Sequence, residues 1–120
     1  MDNEPDATEH KVVSSGNGRN FLLQATFFQN GCFLVVSEGE RRIGALSVAI
    51  SASNKVSVAK IIPSKYDSIF INTIAEKVSS MINGICLVSM YNKDQLQLDD
   101  MKAIMVEVMS IVGSKRHEGQ

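Results

Sequence analysis

The chain has 120 residues, with twelve Lys or Arg against thirteen Asp or Glu and a net charge of -1. That is the size of one compact domain, and it leaves no broad positive field for nucleic acid or anionic lipid. Cys32 and Cys86 lie in apolar runs with no neighbouring Cys or His to complete a metal cluster, so buried free thiols in a reducing compartment are expected. The opening MDNEPDATEH is acidic and lacks the basic start and apolar core of a secretory signal. No run reaches the roughly 18 apolar residues of a membrane span. The expectation is an intracellular protein, cytoplasmic with the nucleus as a second location, that binds neither nucleic acid nor membrane.

Residues 1–19 are polar, apart from Val12 and Val13, which suit a short extra strand, and the segment reads as a flexible leader. FLLQATFF (21–28) and CFLVVS (32–37) flank Asn30-Gly31, a pair suited to the positive φ angles of a tight hairpin turn. A second reversal at Glu38-Gly39-Glu40 returns the chain into IGALSVAI (43–50), which predicts a three-stranded meander. VSVAKII (56–62) follows the polar SASNK and is stopped by Pro63, which has no N–H to donate.

The period then changes. From a cap at Asp67 or Ser68, Phe70, Ile71, Ile74, Ala75, Val78, Met81 and Ile82 recur on one helical face, and Asn83-Gly84 supplies the stop. ICLVSMY (85–91) reads as another strand. Leu98, Met101, Ile104, Met105, Val108, Ile111 and Val112 then mark a last helix ending at Gly113, with Asp99 and Asp100 at its positive end. The fold class expected is α+β: an antiparallel five- or six-stranded sheet with two helices on one face, order ββββαβα. The single domain spans 20–113, and 114–120 forms a flexible tail.

Both faces of these strands carry large apolar groups. Phe21, Leu23, Ala25 and Phe27 alternate with Leu22, Gln24, Thr26 and Phe28; Phe33 and Val35 alternate with Cys32, Leu34 and Val36. A sheet with one wet face would alternate cleanly between apolar and polar. Two helices cover one face, and no third helix is present for the other, so the second face is expected to make a dimer with a like chain. Periodicity leaves open which alternate set faces the helices. The candidate partner contacts are therefore Phe28, Phe33, Leu34, Val35 and Val36, with Arg41 and Arg42 from the charged tip Glu38, Glu40, Arg41, Arg42, read as a solvated hairpin end.

Residues for chemistry are scarce. The only histidines, His10 and His117, fall in the two polar tails, which argues against a His-dependent triad or a zinc site. Gly16-Asn17-Gly18 precedes a strand and has neither the third glycine nor the Lys-Ser/Thr of a phosphate loop, so it reads as a linker. Asp99-Asp100 reads as a pair of helix-dipole partners, and the methionines as core filler. No catalytic residue, cofactor or metal site is assigned. A small hydrolase or acyltransferase would need a nucleophile and base that the pattern does not supply.

From Ala25 through Val112 the chain resembles the proteasome assembly chaperone 3 family. The resemblance is carried by ATFFQNGCFLVVSE, RRIGALSVAI, KIIPSKYDSIFINTIAEKVSSMIN, GICLVSMYNKD and DDMKAIMVEVMSIV, with AEKV (75–78) and LVSMYNKD the most suggestive pieces. SKYDSI and CLVSMYN also look like the related proteasome assembly chaperone 4. The resemblance implies a non-enzymatic factor acting early in 20S proteasome assembly. It would work as a homodimer or as a heterodimer with a chaperone 4-like protein, and would engage α-type subunits during formation of the α ring. The alternative is a dimeric trafficking or signalling adaptor of the roadblock or longin type, which places a helix between its early and later strands.

Overall fold

The elements run β1 (Thr8–Ser14), β2 (Asn20–Phe28), β3 (Gly31–Glu38), β4 (Ala45–Ala52), β5 (Lys55–Ile62), α1 (Ile69–Ile82), β6 (Ile85–Tyr91) and α2 (Leu98–Glu118). They are seen in a computed structural model that describes residues 8–66 and 69–118. All six strands form one sheet in the order β1-β2-β3-β6-β4-β5. The class is α+β, and Val12 and Val13 lie in a seven-residue edge strand that pairs with β2 from Thr8↔Thr26 to Ser14↔Asn20. Five strands precede the first helix.

The sheet is mixed, not purely antiparallel, and the expected meander stops after β2 and β3. β6 enters between β3 and β4, parallel to β3 (Cys32↔Cys86, Leu34↔Val88) and antiparallel to β4 (Ala49↔Cys86). The cause is α1. A helical crossover returns the chain parallel to the strand it left, here β5, and carries it past β4 into the open slot beside β3. The link from Glu38 to Ala45 steps over that slot, and Gly44 sits so close to β6 that a Cβ there would lie 2.2 Å from the Met90 carbonyl oxygen.

Two turns depart from expectation. Neither Asn30 nor Gly31 has positive φ; the hairpin closes at Phe28↔Gly31 around Gln29 and Asn30. Glycine is required at position 31 because a Cβ would meet the Ile85 carbonyl oxygen at 2.2 Å across the β3–β6 pairing. The left-handed two-residue turn is instead Ser53-Asn54 (φ 53° and 64°), joining β4 to β5. Gly16-Asn17-Gly18 is an ordered β1–β2 connection in which the Gly18 N–H donates to the Ser15 carbonyl at 3.1 Å.

α1 ends as expected. Asn83 takes the left-handed conformation (φ 52°) and the Gly84 N–H donates to the Ser79 carbonyl at 3.1 Å, a Schellman closure. Its expected cap at Asp67 or Ser68 lies outside the described residues. α2 does not stop at Gly113 but runs on to Glu118. Lys115 Nζ lies 3.4 Å from Glu9 Oε2 and 5.8 Å from the centre of the Phe27 ring, tying the added turn to β1 and β2. Both helices cover the same sheet face. Ile71, Ile74 and Val78 of α1 and Ile104, Val108 and Val112 of α2 bury Leu23, Ala25, Leu34, Val36, Ala49 and Val88.

Candidate protein-docking face

Strand pairing sets which side chains share a face, because registered partners point the same way. Val12↔Leu22, Thr26↔Phe33, Gln24↔Val35, Phe33↔Leu87 and Val48↔Leu87 place Val12, Leu22, Phe33, Val35, Leu87 and Val48 on the side away from the helices. Phe28 (60% exposed) and Ile50 (47%) extend this apolar field at one end, and Val12 (67%) extends it along the β1 edge. None of the described elements covers it. At these open-face strand positions the described side chains include no carboxylate.

The loop 39–44 folds over the opposite end. Gly39 turns the chain with φ 82°. The Arg41 guanidinium then donates to Gln24 Oε1 at 2.9 Å and lies 3.3 Å from His10 Nδ1, closing a cavity of about 150 Å³ over Val12, Leu22 and Val35. The Arg42 guanidinium stacks on the Tyr91 ring, 4.8 Å from its centre. The Gly44 N–H donates to Ser89 Oγ at 3.0 Å, which satisfies a serine that would otherwise be buried on this face without a partner. The result is an apolar field with a guanidinium rim at one end.

Of the residues singled out from sequence, Phe28, Phe33, Val35, Arg41 and Arg42 lie together on this open face. Leu34 and Val36 do not: they are buried beneath the helices and belong to the core. Alternation along β3 separates the two sets, and only the placement of the helices says which set is which.

Sequence reasoning missed the anchor behind the rim. Glu38 is not part of a solvated tip. Its carboxylate accepts two hydrogen bonds from Arg19, at 2.7 and 3.0 Å, and one from the Lys93 N–H at 2.8 Å. Arg19 also donates to the carbonyls of Asp94 and Gln95 and to Asp100 Oδ2 at 2.9 Å. Asp100 is fully buried and accepts the Gln97 N–H at 2.8 Å, capping the start of α2. The hydrogen bonds from Arg19 hold the Glu38 carboxyl below its ordinary range against the opposing effect of burial. For Asp100, burial pushes upward and is outweighed by the Gln97 amide, the Ser15 and Asn17 side chains and the Arg19 charge, so its carboxyl also lies low. From the β1–β2 connection, Arg19 thus ties together the end of β3, the loop after β6 and the start of α2. No local sequence pattern links positions 19, 38 and 100.

The two cysteines are free, buried and paired across β3 and β6 with sulfurs 3.8 Å apart. The hydrogen bond to Cys32 and burial both raise the Cys86 pKa, keeping it a neutral thiol. Among the described residues no group of three or more His, Cys, Asp or Glu is placed to hold a metal ion. No described helix is long and apolar enough to cross a membrane. The open face consists of apolar side chains with the Arg41 and Arg42 guanidinium groups held at one end.

No protein-family model matches the sequence, and no curated protein matches it. Among solved structures, the chain is similar to a chain in the crystal structure of a novel chaperone complex for yeast 20S proteasome assembly. The TM-score is 0.57 at 18% identity, over 89% of this chain and 89% of that one. Likeness at this identity establishes a shared fold.

Proposed function

We propose that this chain is a non-enzymatic assembly factor for the 20S proteasome, paired through its open sheet face with a second chain of the same fold and engaging α-type subunits early in ring formation. The observation that carries the reading is the uncovered apolar face of Leu22, Phe28, Phe33, Val35, Leu87 and Val48, in a chain whose fold is shared with a chaperone complex for proteasome assembly. An apolar field of this kind is stable in water when another surface covers it. A second sheet stacked face to face at about 10 Å is the covering surface that interdigitates with it best. Such a pair would present the two helical layers outward and bring its loop ends to the rim of the sandwich. The work of such a factor is selective contact, with shape and apolar area stabilising one subunit arrangement and rim charges choosing the neighbour. It would act where 20S particles are built, in the cytoplasm and the nucleus.

The test is capture of a tagged copy from its own cells, followed by mass spectrometry. Recovery of α-type proteasome subunits and a second small chain of this fold, without mature β subunits, supports the reading. Recovery of small GTPases or vesicle-coat components in their place overturns it in favour of a trafficking adaptor.

A further inference from the structure

The cavity beneath Arg41 has an ordered floor. Two rows of registered side chains cross β1, β2 and β3 there, His10, Gln24 and Val35 in one and Val12, Leu22 and Ser37 in the other. Its volume of about 150 Å³ has room for a benzene-sized group or one side chain. Lys11 adds a second cation to the wall, and no carboxylate lines it.

The polar groups around this apolar floor are donors with capacity to spare. Arg41 makes both of its contacts, to Gln24 Oε1 and to His10 Nδ1, through Nη2. Among the described residues its Nη1 and Nε have no partner, and the guanidinium forms no ion pair. Ser37 is the more telling group. It is only 1% exposed, shares the open-face side with its registered partner Leu22, and lines the cavity, yet no described residue hydrogen-bonds its hydroxyl. Ser89, the other buried serine on this face, is satisfied by the Gly44 N–H. A buried hydroxyl left without a partner is costly, and an incoming acceptor removes that cost. The nearby acids do not supply one. Glu38 is bound to Arg19, Glu9 lies on the helix side against Lys115, and Glu40 does not line the cavity.

We infer that this cavity is the specificity pocket of the open face, and that it receives a glutamate side chain from the chain that covers the sheet. The two methylenes lie over Val12, Leu22 and Val35, and the carboxylate accepts from Arg41 and the Ser37 hydroxyl. Charge complementarity identifies the occupant: a guanidinium with free N–H groups above an apolar floor pairs best with a carboxylate on a short aliphatic stem. Covering the face then shuts water away from the pair, the setting in which such an anchor counts most. A second copy of this chain has no carboxylate to offer from its own open-face strand positions. The inference rests on the reading that a second chain covers this face, and adds what that chain must carry.

Two measurements separate the pocket from the pairing. The first is an NMR titration of the isotope-labelled full chain with butanoate, which reproduces the glutamate side chain out to Cα, beside neutral butanamide at constant ionic strength. The expected result is saturable shifts confined to residues 10–12, 22–24, 35–37 and 41. Binding should be at least tenfold weaker for butanamide and for Arg41→Met, and about threefold weaker for Ser37→Ala, each variant first shown to keep the spectrum of a folded chain. Equal binding of the two probes, equal binding by Arg41→Met, or no saturable shift up to decimolar butanoate would each overturn the inference. The second measurement is capture from cells, in which Arg41→Met should bring down at least tenfold less of the second chain than the parent does. Unchanged capture would overturn the assignment of the carboxylate to the covering chain. A parent that captures no second chain at all overturns the pairing reading itself, a failure that the titration with butanoate cannot produce.

Discussion

Replacing Arg19 with Met removes one side chain and, with it, the counter-charge of two carboxylates behind it. Asp100 is fully buried, and the Glu38 side chain is 11% exposed, so both carboxylates would lose their counter-charge where water reaches poorly. The Gln95 carbonyl loses its Arg19 donor as well, and the Asp94 carbonyl is left with that of Asn92 Nδ2. Breaking a buried ion pair by deleting one partner costs about 3–5 kcal/mol. The 17% exposure of Arg19 places this case at the lower end, about 3 kcal/mol. For a domain of this size that corresponds to a loss of roughly 12 °C in Tm. Thermal and urea unfolding followed by circular dichroism measure it directly.

The pH dependence sharpens the test. In the intact chain the folded pKa values of Glu38 and Asp100 are depressed. Their stabilisation is therefore present above the unfolded values, near 4, and is lost as pH falls through the folded values. In the Arg19→Met chain the same carboxylates are destabilising while charged and are relieved by protonation. The gap between the two proteins should accordingly narrow from pH 7 to pH 3. A loss below about 1 kcal/mol at pH 7, the value for an ordinary surface pair, or a gap that stays constant with pH, would refute the account of this hub.

Leu34→Asp, on the buried face of β3, should prevent folding, whereas Phe33→Asp, one residue away on the open face, should leave a cooperative thermal transition within a few degrees of the parent. Gly44→Ala should destabilise by about 2 kcal/mol or more in urea titrations, because its Cβ would sit 2.2 Å from a backbone carbonyl that cannot move without disturbing β6. Ser53→Gly should stabilise by about 0.5–1 kcal/mol, since Ser53 holds a left-handed conformation that glycine adopts without penalty; an unchanged urea midpoint would contradict that reading of the turn.

What was legible in the sequence follows from the range of the forces involved. Alternation along single strands is local, so the division of Phe33 and Val35 from Leu34 and Val36, and the apolar character of both faces, could be read directly. The helical stripes of Ile71, Ile74 and Val78 and of Ile104, Val108 and Val112 were equally plain, as was the stop at Asn83-Gly84. Strand order was not. The insertion of β6 beside β3 joins residues about fifty positions apart through a helical crossover, and nothing in GCFLVV or ICLVSM declares the pairing. Asn30-Gly31 misled because its glycine answers the approach of Ile85, a tertiary demand that resembles turn chemistry in sequence. Within the candidate site Phe28, Phe33 and Val35 were singled out from sequence, whereas Leu34 and Val36 belong to the core and Leu22, Val48 and Leu87 were not among the candidates. The way Arg41 and Arg42 fold onto the face, and the Arg19 anchor beneath, depend on contacts between segments that the chain brings together only once folded.

The central claim is that the open sheet face carries a second chain, and the most direct measurement is paired capture from cells of the tagged parent and the tagged Phe33→Asp variant, each first shown to be folded. The account expects the parent to bring down a second small chain together with α-type proteasome subunits, and the variant to lose the second chain. Recovery of the same partners in the same amounts by both proteins would contradict it.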